Sequence, residues 1–205
     1  MESSKNRNNR FHNWLFDKIA YFYQWFFKKQ VKSYQKILMR HIDQLNLKPN
    51  AKILDIGCGT GAFGTAFQNL GYDVVGVDVA PGMVKRALRN NLKCQQADVL
   101  QGLNFLPESF DLVIAAFVLH GLKEIYRKKI YDEASRLSKN QILFHDYSTT
   151  RKIHISIIEW LERGDYFNFI KQIPSEFNVH FNSVKITPIK SHLALYHCKK
   201  VKKEI

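Results

Sequence analysis

Apolar positions along this chain follow two rhythms. Short runs rich in Val, Ile, Leu and Phe occupy 51–56, 73–78, 110–117 and 141–146, and a more polar strand-length run occupies 93–97. Between them, 60–70, 81–90 and 122–138 carry apolar residues at helical spacing. Such alternation predicts parallel strands joined by crossover helices. The runs Tyr72 to Asp78 and Phe110 to Phe117 are nearly continuous, as expected of strands covered on both faces. Upstream, Val31, Tyr34, Leu38, Ile42 and Leu45 recur at helical spacing with lysines between them. That predicts an amphipathic helix over 28–46, stopped at Pro49-Asn50. Downstream, a helix over 151–163 and a helical piece over 165–180 precede two alternating runs, 182–189 and 192–200. Their split at Lys190-Ser191 reads as a hairpin.

The expected class is therefore α/β, a Rossmann-like doubly wound sheet with helices on both faces. The chain has 205 residues and 45% hydrophobic content, which suits one sizeable core. Residues 1–50 are read as a basic, aromatic helical lid and 51–205 as the catalytic domain. No run reaches the length of a membrane span. The first ten residues are polar, read as disordered, and lack the apolar core of a secretion signal, so a cytoplasmic location is expected. Cys58, Cys94 and Cys198 show no metal or disulfide spacing.

Charge changes the picture only at the ends. The net charge is +13, of which residues 1–50 carry +7, residues 185–205 carry +5 and everything between +1. A nucleic-acid enzyme more often shows a basic stripe across its body. Nucleic acid is thus a possible partner but not the favoured one. Solvated basic ends are the plainer reading, and an RNA or membrane surface the other.

The most informative stretch is Ile53-Leu54-Asp55-Ile56-Gly57-Cys58-Gly59-Thr60-Gly61. An apolar strand runs into a glycine turn that opens a helix. Glycines there let the backbone approach a ligand, and the helix start offers unsatisfied N–H groups. Asp55 is costly inside an apolar strand unless something satisfies it. A ligand bearing an ammonium group would do so. Two cofactor classes fit. Gly57 to Ala62 also has the G-x-G-x-x-A form of a dinucleotide site, and Asp78 follows Gly57 by 21 residues. Asp55, the extra Gly61 and a second acid at Asp98 tip the choice toward S-adenosylmethionine.

With Phe110-Asp111-Leu112-Val113 opening a fourth strand, these motifs resemble the class I S-adenosylmethionine-dependent methyltransferases. The resemblance covers about residues 50–147. It implies a seven-stranded sheet whose last strand is inserted antiparallel. It also implies that Asp55, Gly57, Cys58, Gly59 and Gly61 hold the methionine part of the cofactor. Asp78 would take the ribose hydroxyls, and Asp98 with the Val99 backbone the adenine amino group. Val79 and Met83 would wall the adenine, and Ala115 would line the cofactor from the fourth strand. Phe16-Asp17-Lys18-Ile19-Ala20-Tyr21-Phe22-Tyr23 is similar to the lid of quinone C-methyltransferases, placing Tyr23 near the cofactor. The turn those enzymes carry before strand five is replaced by Leu137-Ser138-Lys139-Asn140, which leaves only the lid in common.

Methyl transfer needs a base only when the acceptor must first lose a proton. His120, after strand four, and Asp146 and Tyr147, after strand five, are the candidate acceptor-side residues. His145 is expected to point to the other face. Strand four ends without the acids that ligate magnesium, so a metal-independent reaction is expected. The expected acceptor is a small or amphipathic molecule. The rivals are an RNA or protein methyltransferase guided by the basic termini, and a partner subunit that binds cofactor without catalysis. Oligomeric state is not legible.

Overall fold

The computed structural model describes residues 26–150 and 165–200. Tyr23, the rest of the proposed lid up to Trp25, the first ten residues and the expected helix 151–163 lie outside the described residues. Seven strands form one sheet in the order β3-β2-β1-β4-β5-β7-β6. The chain divides into two compact units, Met1–Val99 and Leu100–Ile205.

In the first unit, α1 covers 26–41 and a 3-10 turn covers Ile42–Leu45. The expected single helix to 46 thus tightens in its last turn, which still buries Leu45. Then come β1 (Lys52–Ile56), α2 (Ala62–Gln68), β2 (Asp73–Asp78), α3 (Pro81–Arg89) and β3 (Lys93–Gln96). All three strands are parallel, with Asp55 opposite Gly76 and Gly76 opposite Cys94. Ile53, Leu54 and Ile56 are fully buried, and Phe63, Ala66 and Phe67 of α2 are buried with them. Tyr34 of α1 packs on Phe63 at 4.9 Å between ring centroids, which anchors the amphipathic helix.

The second unit runs β4 (Phe110–Ala116), α4 (Glu124–Leu137), β5 (Ser138–Tyr147), α5 (Tyr166–His180), β6 (Phe181–Lys190) and β7 (Leu193–Lys200). Strand β7 is antiparallel to both β5 and β6, as the family resemblance implied. One boundary departs from expectation. The strand expected from 141 starts at Ser138, where α4 passes directly into β5, and Ser138 is fully buried and opposite Phe110. Phe144, Phe177, Phe181, Tyr131 and Tyr196 make the aromatic core of this unit, with Phe144 stacked on Phe177 at 5.4 Å.

Arg127 lies entirely inside that unit. It donates to Glu176 at 2.9 and 2.5 Å, to Asp165 at 2.9 Å, to Gln172 at 3.1 Å and to the Leu122 carbonyl. Tyr131 adds a hydroxyl bond to Glu176 at 2.8 Å. Burial alone would lower the Arg127 pKa, but Glu176 and Asp165 outweigh it and hold the guanidinium charged. This network fixes α5 against α4.

Candidate active site

The glycine loop follows β1 in the first unit. Gly57, Gly59 and Gly61 adopt φ of 64, 56 and 87°, which glycine alone takes at little cost. They differ in surroundings. A Cβ on Gly61 would press on Leu92 at 2.9 Å, so this glycine serves packing. A Cβ on Gly59 would meet nothing within 4 Å. Here the bare backbone leaves room that a ligand can use.

Asp78 ends β2 and ties the loop down. Its Oδ2 accepts from the Gly59 amide at 2.8 Å and its Oδ1 from the Ala80 amide at 2.9 Å. Pro81 starts α3 and Ala80 is the N-cap, so Asp78 is not the helix cap. A carboxylate oxygen can accept more than one hydrogen bond, so these braces are compatible with a role toward ligand hydroxyls.

Asp55 is 1% exposed. Its Oδ2 accepts from the Gly64 amide at 3.0 Å, while Oδ1 has no hydrogen-bond partner among the described residues. Burial, opposed by the Gly64 bond and reinforced by the Asp78 charge, pushes its pKa up to about 8. A buried carboxylate oxygen lacking a donor is what an ammonium group, or a water held by one, would satisfy. On this observation and the open space at Gly59, the residues present fit S-adenosylmethionine.

The remaining cofactor-side candidates are spread more widely. Val79 is 36% exposed, and Met83 is buried with Ala80. Asp98 and Val99 are half-buried after β3. Ala115 belongs to the second unit, buried in β4 opposite Phe144.

The second unit brings His120, Asp146 and Tyr147 together. His120 Nδ1 and Asp146 Oδ1 are 2.7 Å apart. Asp146 is 1% exposed and accepts the amides of Leu119 at 3.0 Å, His120 at 3.4 Å and Tyr147 at 2.8 Å. These contacts place its carboxylate against the imidazole and the chain that follows β4. A neutral imidazole that donates its Nδ1–H to Asp146 has Nε2 as its acceptor nitrogen.

Tyr147 and Phe117 flank the imidazole edge-on, at 4.8 and 6.1 Å between centroids. Phe117 has φ of 56°, a strained value for a bulky residue, and its amide bonds the His145 carbonyl at 2.8 Å. His145 is 2% exposed, burial lowers its pKa to about 4, and its ring packs edge-on against Phe117 at 5.0 Å. It is a neutral packing residue. Sequence reasoning missed two features: the strain at Phe117 and the meeting of Cys58 with Cys94, whose sulfurs are 3.2 Å apart. The signal for the second was Gly76 inside a strand, which marks a close approach.

Among the described residues no group of three or more His, Cys, Asp or Glu side chains could hold a metal ion. Nor is any described helix long and apolar enough to cross a membrane.

Residues 53–141 match the family model described as a methyltransferase domain. The yeast Saccharomyces cerevisiae 18S rRNA (guanine(1575)-N(7))-methyltransferase is 34% identical over 90 residues, 42% of this chain and 33% of that enzyme. The chain spans a third or less of the first curated relatives it matches. Among solved structures, a Methanococcus maripaludis protein provisionally assigned as an S-adenosyl-L-methionine-dependent methyltransferase superposes with TM-score 0.70 at 16% identity, covering 92% of this chain and 95% of that one. Magnesium protoporphyrin IX methyltransferase from Synechocystis, solved with S-adenosylhomocysteine, gives TM-score 0.57 at 16% identity, covering 83% of each chain. These likenesses show the fold.

Proposed function

We propose that this protein is an S-adenosylmethionine-dependent methyltransferase that transfers a methyl group to a small or amphipathic acceptor whose nucleophile must first lose a proton, a reading supported by its methyltransferase-domain match and fold. The cofactor when bound supplies an electrophilic methyl on a sulfonium leaving group. The chain's residues do the rest. Asp55 receives the ammonium end, the 57–61 backbone cradles the methionine part, Asp78 takes the ribose hydroxyls, and Asp98 with Val99 the adenine edge. Val79 and Met83 complete the apolar surround of the adenine.

His120 takes the acceptor proton on Nε2, and Asp146 stabilises the resulting imidazolium across the 2.7 Å contact. That contact is the observation that carries the reading, because mere packing does not need a buried carboxylate on the imidazole. Tyr147 and Phe117 supply flat apolar walls, and the near-neutral body suits an uncharged or weakly charged acceptor. The aromatic segment 11–27, with nine Phe, Tyr and Trp residues, acts as the cover that excludes water. Incubating the protein with labelled cofactor and fractionated metabolites tests the reading. Label should appear in a small molecule, and a His120→Ala variant should still bind cofactor but not transfer it.

A second reading rests on α1. Lys28, Lys29, Lys32, Lys36 and Arg40 are all exposed, and the stretch 26–42 contains no acid. Such a face suits a phosphate backbone. Label appearing in RNA, with binding that weakens steeply as salt rises, would favour it over the first.

A further inference from the structure

Cys58 and Cys94 are 36 residues apart in sequence, yet their sulfurs approach to 3.2 Å and share a hydrogen bond. The fold brings them together through Gly76. That glycine sits in β2 directly opposite Cys94, and a Cβ built on it would lie 2.7 Å from Cys58 Sγ. Only a residue without a side chain lets the Cys58 thiol lie over β2 and reach β3. Cys58 is 7% exposed, whereas Cys94 is half-buried and gives an oxidant an entry. The third cysteine, Cys198, is fully buried in β7 of the other unit.

We propose that Cys58 and Cys94 are an oxidation site, closing to an intramolecular disulfide that distorts the glycine loop and weakens cofactor binding. The effect on binding rests on the cofactor reading above; the disulfide itself does not. With hydrogen peroxide as oxidant, the Cys94 sulfur bonds to a peroxide oxygen, the O–O bond breaks, and one water leaves with the thiol proton. The Cys58 sulfur then attacks the Cys94 sulfenic acid. The S–S bond forms, the S–O bond breaks, and a second water carries off the Cys58 proton. Two thiols lose two electrons and two protons, and one peroxide becomes two waters. The hydrogen bond to Cys94 and burial hold the Cys58 thiol protonated, so it is the half-buried Cys94 that reacts first.

The loop cannot follow the new bond freely. A disulfide needs about 2.05 Å between sulfurs, so the 3.2 Å gap must close by about 1.2 Å. Cys58 is held on three sides: its amide donates to Val77 at 3.0 Å, its carbonyl accepts from Gly61 at 2.8 Å, and the next amide, Gly59, donates to Asp78 at 2.8 Å. Pulling the sulfur toward β3 therefore shifts the atoms that face the ligand.

The test treats the full chain with a small excess of hydrogen peroxide. Free thiols should fall from three to one, and peptide mapping should recover a 58–94 linked pair. S-adenosylhomocysteine affinity, read by calorimetry, should drop at least tenfold and return with dithiothreitol. In a thiol–disulfide redox buffer, saturating S-adenosylhomocysteine should in turn shift the equilibrium toward the reduced pair, because the coupling is reciprocal. Cys94→Ser should bind as the untreated protein does and should lose the response to peroxide. Three free thiols after treatment, or a linked pair with unchanged affinity, would overturn the proposal. A reduced protein that fails to bind S-adenosylhomocysteine would sink the cofactor reading instead, and the disulfide would then be judged on the linked peptide alone.

Discussion

The Gly59 amide points at Asp78 Oδ2 from 2.8 Å, so the glycine loop and the end of β2 are one hydrogen-bonded unit. Removing the carboxylate loses two things together: the acceptor for ligand hydroxyls and the brace that holds the loop. Asp78→Ala should weaken S-adenosylhomocysteine binding by about 1–3 kcal/mol. Calorimetry reads this directly. Unchanged affinity would reduce Asp78 to a loop brace that the ligand does not need.

Gly59→Val should abolish cofactor binding and leave the fold standing. The position has φ of 56° and open space beyond it, so a valine meets backbone strain and fills the ligand's room without striking the core. Circular dichroism and calorimetry on the same sample separate the two effects. A variant that folds and binds normally would move the cofactor off this turn.

Asp55 predicts a pH dependence of binding. Its free-state pKa is raised to about 8, so below that value the group carries a proton. A ligand ammonium favours the ionised form, and binding must then release that proton. Affinity should therefore rise as pH goes from about 6 to about 8. Calorimetry in buffers of different ionisation enthalpy should show the proton leaving. Asp55→Asn should flatten the rise, and a rise that survives the change would assign the proton elsewhere.

His120→Ala should lower kcat by about 10²–10⁴-fold with cofactor affinity unchanged. Asp146→Asn should lower kcat less and also shift the pH profile, since it only holds and polarises the imidazole. Methyl transfer at full rate in both variants would leave positioning alone to account for catalysis.

The Arg127 network predicts an asymmetry in stability. Arg127→Met strands the buried Glu176 carboxylate and should cost about 3–5 kcal/mol in urea unfolding. The double change Arg127→Met with Glu176→Leu should recover a large part of that loss. Equal losses in the single and double variants would show that packing, rather than the stranded charge, sets the cost.

The loop and Asp55 were legible because their geometry is local: a strand, a turn and a helix start lie within a few residues. The strand alternation was legible for the same reason. His120 and Asp146 were legible as positions following two strands, but not as partners. Their bond depends on how β4 and β5 end side by side, where Phe117 accepts a strained backbone to bond His145. No sequence pattern announces a phenylalanine at positive φ. The strand expected from 141 begins already at Ser138 because nothing in Leu137-Ser138-Lys139 punctuates the chain. There is no glycine or proline to separate α4 from β5. The Cys58–Cys94 approach was hidden because strand register, not spacing, creates it.

Gly76 also sets a rule for how the sequence can drift. The volume a side chain would occupy at 76 is already taken by the sulfur of residue 58. A descendant that gains alanine at 76 must therefore shrink position 58 to glycine or shift the loop that carries it. Positions 58, 76 and 94 should then change together in relatives of this chain, and swapping only one of them between two such relatives should damage both.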